Sequence, residues 1–336
     1  MSPNTTPQAP FIAVSESYLI PANTSPTESA IGLIPAPTMT KLRNVGLPRI
    51  KDMRATGVTM QIVSHIPVHA NPLSCAKIND ALNAAIYVSP DRFAAMALLP
   101  ALDAKEAARE LQRCVTKYKF VGGVLGLRED VRVDDMDFEE LWGIAETYRV
   151  PVALKEVWPT LDQTRDFRGY VPEALLGPLV ANFNAARVSS PLPILQLYAA
   201  GVFDRHPNLR LIVSRSGLLI ASLLPRIKSL FTTLPASQRP NRSFLDIWQH
   251  NFYISTEDVL DLGSMRALLE QIPMDRVMYG ANYPFEEGGK ALMAELKESG
   301  IVGREEWERI ASGNAEALFG LGTAKGGKST MGRSSY

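Results

Sequence analysis

Short apolar segments alternate with longer amphipathic ones along most of the chain. Eight of the short segments have the length and the β-branched or aromatic content of buried strands, and turn residues bound them. Between them, apolar residues recur at helical spacing, as at Ile78, Leu82 and Ile86 in segment 74–88. The predicted strands are 11–14, 58–64, 92–100, 120–127, 150–154, 209–214, 251–255 and 276–280.

This strand-then-helix order predicts the fold class. Repeated β-then-α units without hairpin turns are typical of a (β/α)8 TIM barrel in the α/β class. We predict one barrel domain over 11–321, with a long excursion at 156–208 after the fifth strand. The alternative is a doubly wound open sheet, but no GxGxxG or GxxxxGK[ST] loop follows any strand. Residues 1–10 are expected to be a disordered tail and 322–336 a flexible one.

Composition narrows the functional classes. Lys and Arg total 35 and balance 35 Asp and Glu, so no net field attracts nucleic acid or an anionic membrane. No apolar run approaches the roughly 20 residues of a membrane helix, and the first residues lack a signal-peptide pattern. Cys75 and Cys114 have no CxxC spacing and are interpreted as small core residues in a reducing compartment. We therefore expect a neutral, soluble, cytoplasmic protein.

Four longer segments carry a family resemblance. "LPRIKDMRATGVTMQIVS", "INDALNAAIYVSPDRFAAMALLP", "LYAAGVFDRHPNLRLIV" and "RVMYGANYPFE" resemble the amidohydrolase-related (amidohydrolase 2) family. Within it they are similar to aminocarboxymuconate-semialdehyde decarboxylase and to the resorcylate and dihydroxybenzoate decarboxylases. The resemblance implies a TIM barrel with lyase activity, and a homodimer or homotetramer by analogy.

The same resemblance implies a divalent metal, and here the sequence departs from the family. The expected ligands are an acid and a histidine after strand one, histidines at strands five and six, and an aspartate at strand eight. At these positions the chain has Ser15 and Ser17, Lys155, Arg215 and Asn282. Serines and an amide are poor ligands, and two cations repel a metal ion. We expect no catalytic metal and no other cofactor.

Two acids next to these positions need a separate prediction. Glu16 lies between the two serines, and Glu156 follows Lys155. Side chains alternate along a strand, so both carboxylates are expected to point away from Ser15 and Lys155.

The basic residues are the first catalytic candidates. Lys155 and Arg215 are predicted to supply the positive charge that a metal supplies in relatives. Lys155 is also a candidate general acid–base or Schiff-base residue. Asn282 is predicted to hold a carbonyl or phenol oxygen. The alternative is that both cations pair with internal acids and only fill the former metal site.

Other residues are predicted to move protons or bind substrate. His65 follows strand two and is the preferred proton shuttle, with His69 as the alternative. The predicted substrate-binding residues are Ser15, Ser17, Tyr18, Trp158 and Tyr283.

These assignments predict a metal-independent lyase of decarboxylase type, acting on a small aromatic or polyketide-like acid. One alternative is a repurposed cyclase, isomerase or dehydratase of secondary metabolism, including pericyclic chemistry, which needs only positioning. Another is a non-catalytic pseudoenzyme that binds a ligand. Hydrolysis is disfavoured because nothing in the sequence activates a water molecule.

Overall fold

A computed structural model gives the fold of the chain. It describes residues 10–21, 30–128, 131–172, 175–177, 179–180, 190–285 and 288–322, and the side chains within these ranges except those of 165–168 and 215–216. The two predicted tails, apart from residues 10 and 322, lie outside these ranges.

Eight parallel strands pair in chain order, which confirms the predicted (β/α)8 barrel. The first strand meets the segment that follows the last strand through two backbone bonds: Val14 N–H donates to the Tyr279 carbonyl (2.9 Å) and Ser17 N–H to the Tyr283 carbonyl (3.0 Å). The strands are β1 (Phe11–Tyr18), β2 (Val58–His65), β3 (Phe93–Leu99), β4 (Gly122–Leu127), β5 (Val152–Glu156), β6 (Leu211–Val213), β7 (Phe252–Ser255) and β8 (Val277–Met278).

Helices follow the strands and cover the barrel. Asp103 caps the helix that begins at Ala104, with its side chain accepting from Glu106 N–H at 3.0 Å. In the described ranges the helices are α1 (Ala36–Leu42), α2 (Leu47–Thr56), α3 (Pro72–Ile86), α4 (Ala104–Arg113), α5 (Glu139–Thr147), α6 (Leu161–Arg168), α7 (Leu192–Ala199), α8 (Val202–Arg205), α9 (Arg215–Thr233), α10 (Phe244–His250), α11 (Leu262–Leu269), α12 (Gly289–Ser299), α13 (Arg304–Glu308) and α14 (Asn314–Phe319).

The apolar residues divide into a barrel interior and a surrounding shell. Side chains of α14, including Leu318 and Phe319, pack against the interior. A larger cluster lies between strands and helices and includes Trp142 and Trp248, both fully buried. The interior residues contributed by the strands are Ile12, Val14, Ile62, Met96, Val124, Ala153, Ile212, Tyr253 and Met278.

Strand β1 is longer than predicted and contains a bulge. Its register places two residues, Val14 and Ser15, opposite the single residue Ile62 of β2. Ser15 has a left-handed backbone, with φ 71°. The extra residue reverses the alternation that Ile12 and Val14 establish. Glu16 therefore faces the shell, and Ser17 faces the barrel interior.

Strand β8 is shorter than the predicted 276–280. Its pairing ends because the next N–H groups bind other partners. The N–H of Tyr279 donates to the Ile310 carbonyl at 3.0 Å, and that of Gly280 donates to the Thr256 hydroxyl at 3.1 Å. The chain therefore leaves the barrel early on this side and forms the loop that contains Asn282.

Candidate active site at the barrel mouth

The carboxyl ends of the strands, which we call the barrel mouth, carry a layer of small and polar residues. Each of these residues follows an apolar interior residue by two positions, so alternation directs it into the barrel. Catalytic residues of TIM barrels lie at this end. The layer comprises Ser64, Gly126, Lys155, Ser214, Ser255 and Gly280, with Leu98 at the equivalent position of β3.

Lys155 is the cation of this layer. Its side chain is 15% exposed, and its ammonium lies 3.6 Å from Glu257 Oε2. The same ammonium donates to the Ser15 carbonyl at 3.0 Å across the barrel. Lys155 thus points into the mouth, and it is paired with an internal acid. The sequence left open whether Lys155 pairs with an internal acid, and the structure shows that it pairs with Glu257.

Glu257 is the partner that sequence reasoning did not find. It follows β7 and accepts a hydrogen bond from the Ser214 hydroxyl. Burial raises the pKa of Glu257, Lys155 acts in the opposite direction, and Asp258 and Glu156 add to the rise. An acid directly after a buried strand, in "YISTED", was the signal that could have revealed it.

Two serine hydroxyls at the mouth are buried without a partner. Ser15 Oγ and Ser255 Oγ have no hydrogen-bond partner among the described residues. A buried hydroxyl without a partner costs free energy, about 1–3 kcal/mol in mutational data. Ser17 lies beside Ser64 in the β1–β2 register. These hydroxyls can therefore serve polar atoms of a bound molecule, and the substrate-binding roles of Ser15 and Ser17 stay predictions.

His65 is buried and neutral at ordinary pH. Burial lowers its pKa to about 4. Its Nδ1 lies 2.7 Å from the Ile66 carbonyl, which assigns the N–H to Nδ1 and leaves Nε2 as an acceptor. Nε2 has no partner within the described structure. Tyr18 meets the His65 ring edge-on at 6.1 Å, and burial raises the pKa of Tyr18. Nε2 can therefore accept a hydrogen bond, but the lowered pKa makes His65 a weak base near neutral pH.

Tyr283 lies on the other side of β1 from the barrel interior. Its hydroxyl donates to Asp52 of α2 at 3.1 Å, and the Arg49 guanidinium lies over its ring at 4.4 Å. Its side chain therefore packs in the shell, which corrects the prediction that it binds substrate. The residue turns outward because Asn282, with φ 58°, breaks the alternation before it.

Glu16 also faces the shell, because the bulge at Ser15 turns it outward. Its two carboxyl oxygens accept the N–H groups of Ala281 and Tyr283, each at 2.8 Å. Burial raises its pKa to about 7, although Arg49 and both backbone bonds act in the opposite direction. Glu16 thus satisfies the backbone beyond β8 and holds the Asn282 loop in place.

The remaining candidates are only partly placed. Trp158 stacks on Phe285, with ring centres 5.8 Å apart and planes 22° apart, and forms an apolar wall. Asn282 is half-buried in the loop after β8. His69 contacts Arg128, the residue after β4. Arg215 begins α9, but its side chain lies outside the described structure, so its catalytic role stays a prediction.

Comparison with known proteins identifies relatives of this site. The amidohydrolase (Amidohydro_2) family model matches residues 34–321. The decarboxylase orsB of Emericella nidulans is 32% identical over 286 residues, which cover 83% of this chain and 86% of the relative. A structure of 2,6-dihydroxybenzoate decarboxylase with 2,6-dihydroxybenzoate has a TM-score of 0.78 and 26% identity, covering 94% of this chain and 100% of the other. A dihydroxybenzoic acid decarboxylase from Polaromonas, with bound manganese and the inhibitor 2-nitroresorcinol, shares the fold at a TM-score of 0.77 and 22% identity, over 94% and 98% of the two chains.

The donor atoms described at the barrel mouth do not fit a divalent ion such as that manganese. The positions at which the resemblance implies metal ligands hold Ser15, Ser17, Lys155 and Asn282, and Arg215 at the start of α9. The Lys155 ammonium lies among them, and like charges repel. Within the described ranges, no three His, Cys, Asp or Glu side chains are grouped to hold a metal.

The described helices include none that combines the length and apolarity needed to cross a bilayer. The relatives named above are decarboxylases, so the predicted enzyme of the lyase class is confirmed. The family match, its length and the sequence identity agree, and the chain belongs to the amidohydrolase family.

Proposed function

We propose that this chain is a metal-independent carboxy-lyase for a small aromatic or polyketide-like acid. The observation that carries the proposal is the Lys155 ammonium, held inside the barrel mouth of a decarboxylase-family fold where relatives are expected to bind a metal. Arg215, at the start of the neighbouring helix, is proposed as a second positive charge.

The positive charge addresses the main electrostatic demand of the reaction. Protonation of the ring carbon that bears the carboxylate removes aromaticity and gives the ortho oxygen carbonyl character. When the bond to the carboxylate then breaks, its electron pair returns through the ring and negative charge develops on that oxygen. An oriented ammonium in a site of low dielectric stabilises such an oxygen. Lys155 is oriented by the Ser15 carbonyl and by Glu257, so it needs little reorganisation during the reaction.

The rest of the mouth suits a flat acid with several oxygens. Trp158 and Phe285 offer an apolar wall, and the hydroxyls of Ser15 and Ser255 offer donors and acceptors. We propose that these groups fix the ring, with Asn282 at a carbonyl or phenol oxygen.

The test is release of carbon dioxide from 2,6-dihydroxybenzoate and related hydroxybenzoates by the purified chain, before and after treatment with a chelator. We expect no stoichiometric metal by elemental analysis and an unchanged rate after chelation. Lys155→Met should lower the rate, whereas the matched surface variant Lys41→Met should not. Stoichiometric metal together with loss of activity on chelation would overturn the metal-independent mechanism.

A cyclase or isomerase of secondary metabolism is the second candidate. The observation that favours it is the pair of buried, unpartnered serine hydroxyls beside a stacked aromatic wall, a set that can hold a reactive conformation without a metal. Conversion of a polyketide-like enone to a product of equal mass, without carbon dioxide, would select it. Binding of such a compound without turnover would indicate the pseudoenzyme.

A further inference from the structure

Decarboxylation needs a proton for the ring carbon, and the charge provided by Lys155 does not supply it. Several mouth residues are poorly suited to that step. His65 keeps its N–H on the Ile66 carbonyl, and its low pKa leaves it neutral. Asn282 is an amide with no acidic proton. The Lys155 ammonium is already engaged with the Ser15 carbonyl and Glu257.

Glu257 has the placement that the step requires. One carboxyl oxygen accepts from the Ser214 hydroxyl, and the other lies 3.6 Å from the Lys155 ammonium. These two contacts fix the carboxyl group at the mouth. Its side chain is 9% exposed, so water can still reach it from one side.

The neighbourhood of Glu257 is tightly built. A Cβ atom at Gly280 would lie 2.3 Å from Ser255 Oγ and 3.0 Å from the Glu257 backbone nitrogen. Only glycine therefore allows the segment after β8 to pass this close to the start of the Glu257 turn. The close approach holds the acid beside the Asn282 loop, on the side where the family expects its strand-eight aspartate.

We propose that Glu257 is the catalytic acid that delivers the proton to the ring carbon of the substrate. This proposal rests on the proposed decarboxylase function. A new C–H bond forms with the proton of the Glu257 carboxyl group. The bond from the ring to the carboxylate then breaks, its electron pair returns to the ring, and carbon dioxide leaves. The Glu257 carboxylate takes a new proton from water, so the net reaction consumes one proton.

The charges around Glu257 are consistent with this role. Burial raises the pKa of Glu257, and the negative charges of Asp258 and Glu156 raise it further. The more distant Glu16 and Glu257 also repel each other. Lys155 is the opposing charge among the described groups that face it. A raised pKa keeps part of the population protonated nearer to neutral pH than an ordinary glutamate.

The test compares Glu257→Gln with Glu298→Gln on 2,6-dihydroxybenzoate in D2O. Glu298 is the control because it is an exposed acid on the outer helix α12. We expect Glu257→Gln to lower carbon dioxide release by about 100-fold or more, and Glu298→Gln to leave it unchanged. Glu257→Asp retains the acid and should keep a measurable rate. The wild-type kcat should fall as pH rises through the raised pKa of Glu257, and this fall should be absent in Glu257→Gln.

A second measurement separates this proposal from the decarboxylase proposal. Carbon-13 NMR of labelled glutamate carboxyls, assigned with Glu257→Gln, follows the Glu257 titration without any substrate. If Glu257→Gln retains the turnover of the wild type, Glu257 is not the catalytic acid, and the decarboxylase proposal still stands. A wild-type protein inactive on every hydroxybenzoate overturns the decarboxylase function. If the Glu257 carboxyl group stays ionised down to pH 4.5, Glu257 cannot serve as the catalytic acid in any reaction.

Discussion

Glu16 and Glu257 are buried carboxylates on opposite faces of the barrel wall, and they have different surroundings. Glu16 belongs to an outer cluster, which we define as Glu16, Arg49, Gln61 and Tyr283. Both Glu16 oxygens accept backbone N–H groups, and Arg49 bonds Gln61 (2.6 Å) and the Ser17 carbonyl (2.8 Å). All four residues are almost completely buried.

The mouth pair, Lys155 and Glu257, is less complete. Both side chains retain some exposure, 15% and 9%, and unpartnered hydroxyls lie in the same layer. A cluster with its polar groups bound internally stabilises a fold, whereas a partly open one can bind and react. The comparison assigns the outer cluster to structure and the mouth pair to chemistry. The following variants test this division, from the largest expected effect to the smallest.

Arg49→Met should be the most destabilising change. It removes a fully buried cation and leaves the Gln61 oxygen and the Ser17 carbonyl without their donor, at a cost of about 3–5 kcal/mol in the free energy of unfolding. Urea denaturation measures this. The control is Lys41→Met, whose exposed pair with Asp52 at 3.5 Å should be worth less than about 1 kcal/mol. Equal costs for the two variants would contradict the structural role of the outer cluster.

Lys155→Met should lose activity more than stability. We expect turnover to fall by about 100-fold or more, since the positive charge at the developing oxyanion is removed. The free energy of unfolding should fall by about 1–3 kcal/mol, because Glu257 loses its cation but keeps Ser214 and some water contact. Adding Glu257→Gln should recover stability and not turnover. A double variant that regains activity would refute the assignment.

The pH dependence of stability should distinguish Glu16 from an ordinary surface acid. Burial raises the Glu16 pKa from 4.5 to about 7, so the folded state holds this proton more tightly than the unfolded state. Its contribution is then fully present below about pH 4.5 and is lost as pH rises through about 7. The stability of wild type relative to Glu16→Gln should accordingly fall over this range and level off above it. A relative stability that rises with pH would show that the two backbone bonds outweigh burial.

Ser15→Gly should have the smallest effect, and a stabilising one. Glycine removes the cost of a left-handed backbone and the buried hydroxyl, together worth about 1 kcal/mol. Thermal unfolding detects this change, with Ser64→Gly as the control in regular β2 backbone, where a loss is expected. A destabilised Ser15→Gly would mean that the hydroxyl has a structural partner.

Much of this division was predictable from the sequence. The strand pattern placed Lys155 at the carboxyl end of a buried strand, and its residue type predicts that it does not bind a metal ion. Glu257 was missed because it follows β7 in a tight turn, where alternation gives no direction. Tyr283 was predicted to bind substrate because the two-residue alternation of a strand does not show that Asn282 has a left-handed backbone. Patterns record which residues are buried, but they do not record where the backbone leaves its regular geometry.

The bulge in β1 shows how much depends on one such position. Without the additional residue, the phase of the strand would place Glu16 inside the barrel and Ser17 outside it. A second anion would then face Glu257 across a narrow space, and the Asn282 loop would lose both of its carboxylate acceptors. A one-residue deletion at Ser15 would thus exchange the inner and outer faces of everything that follows on this strand.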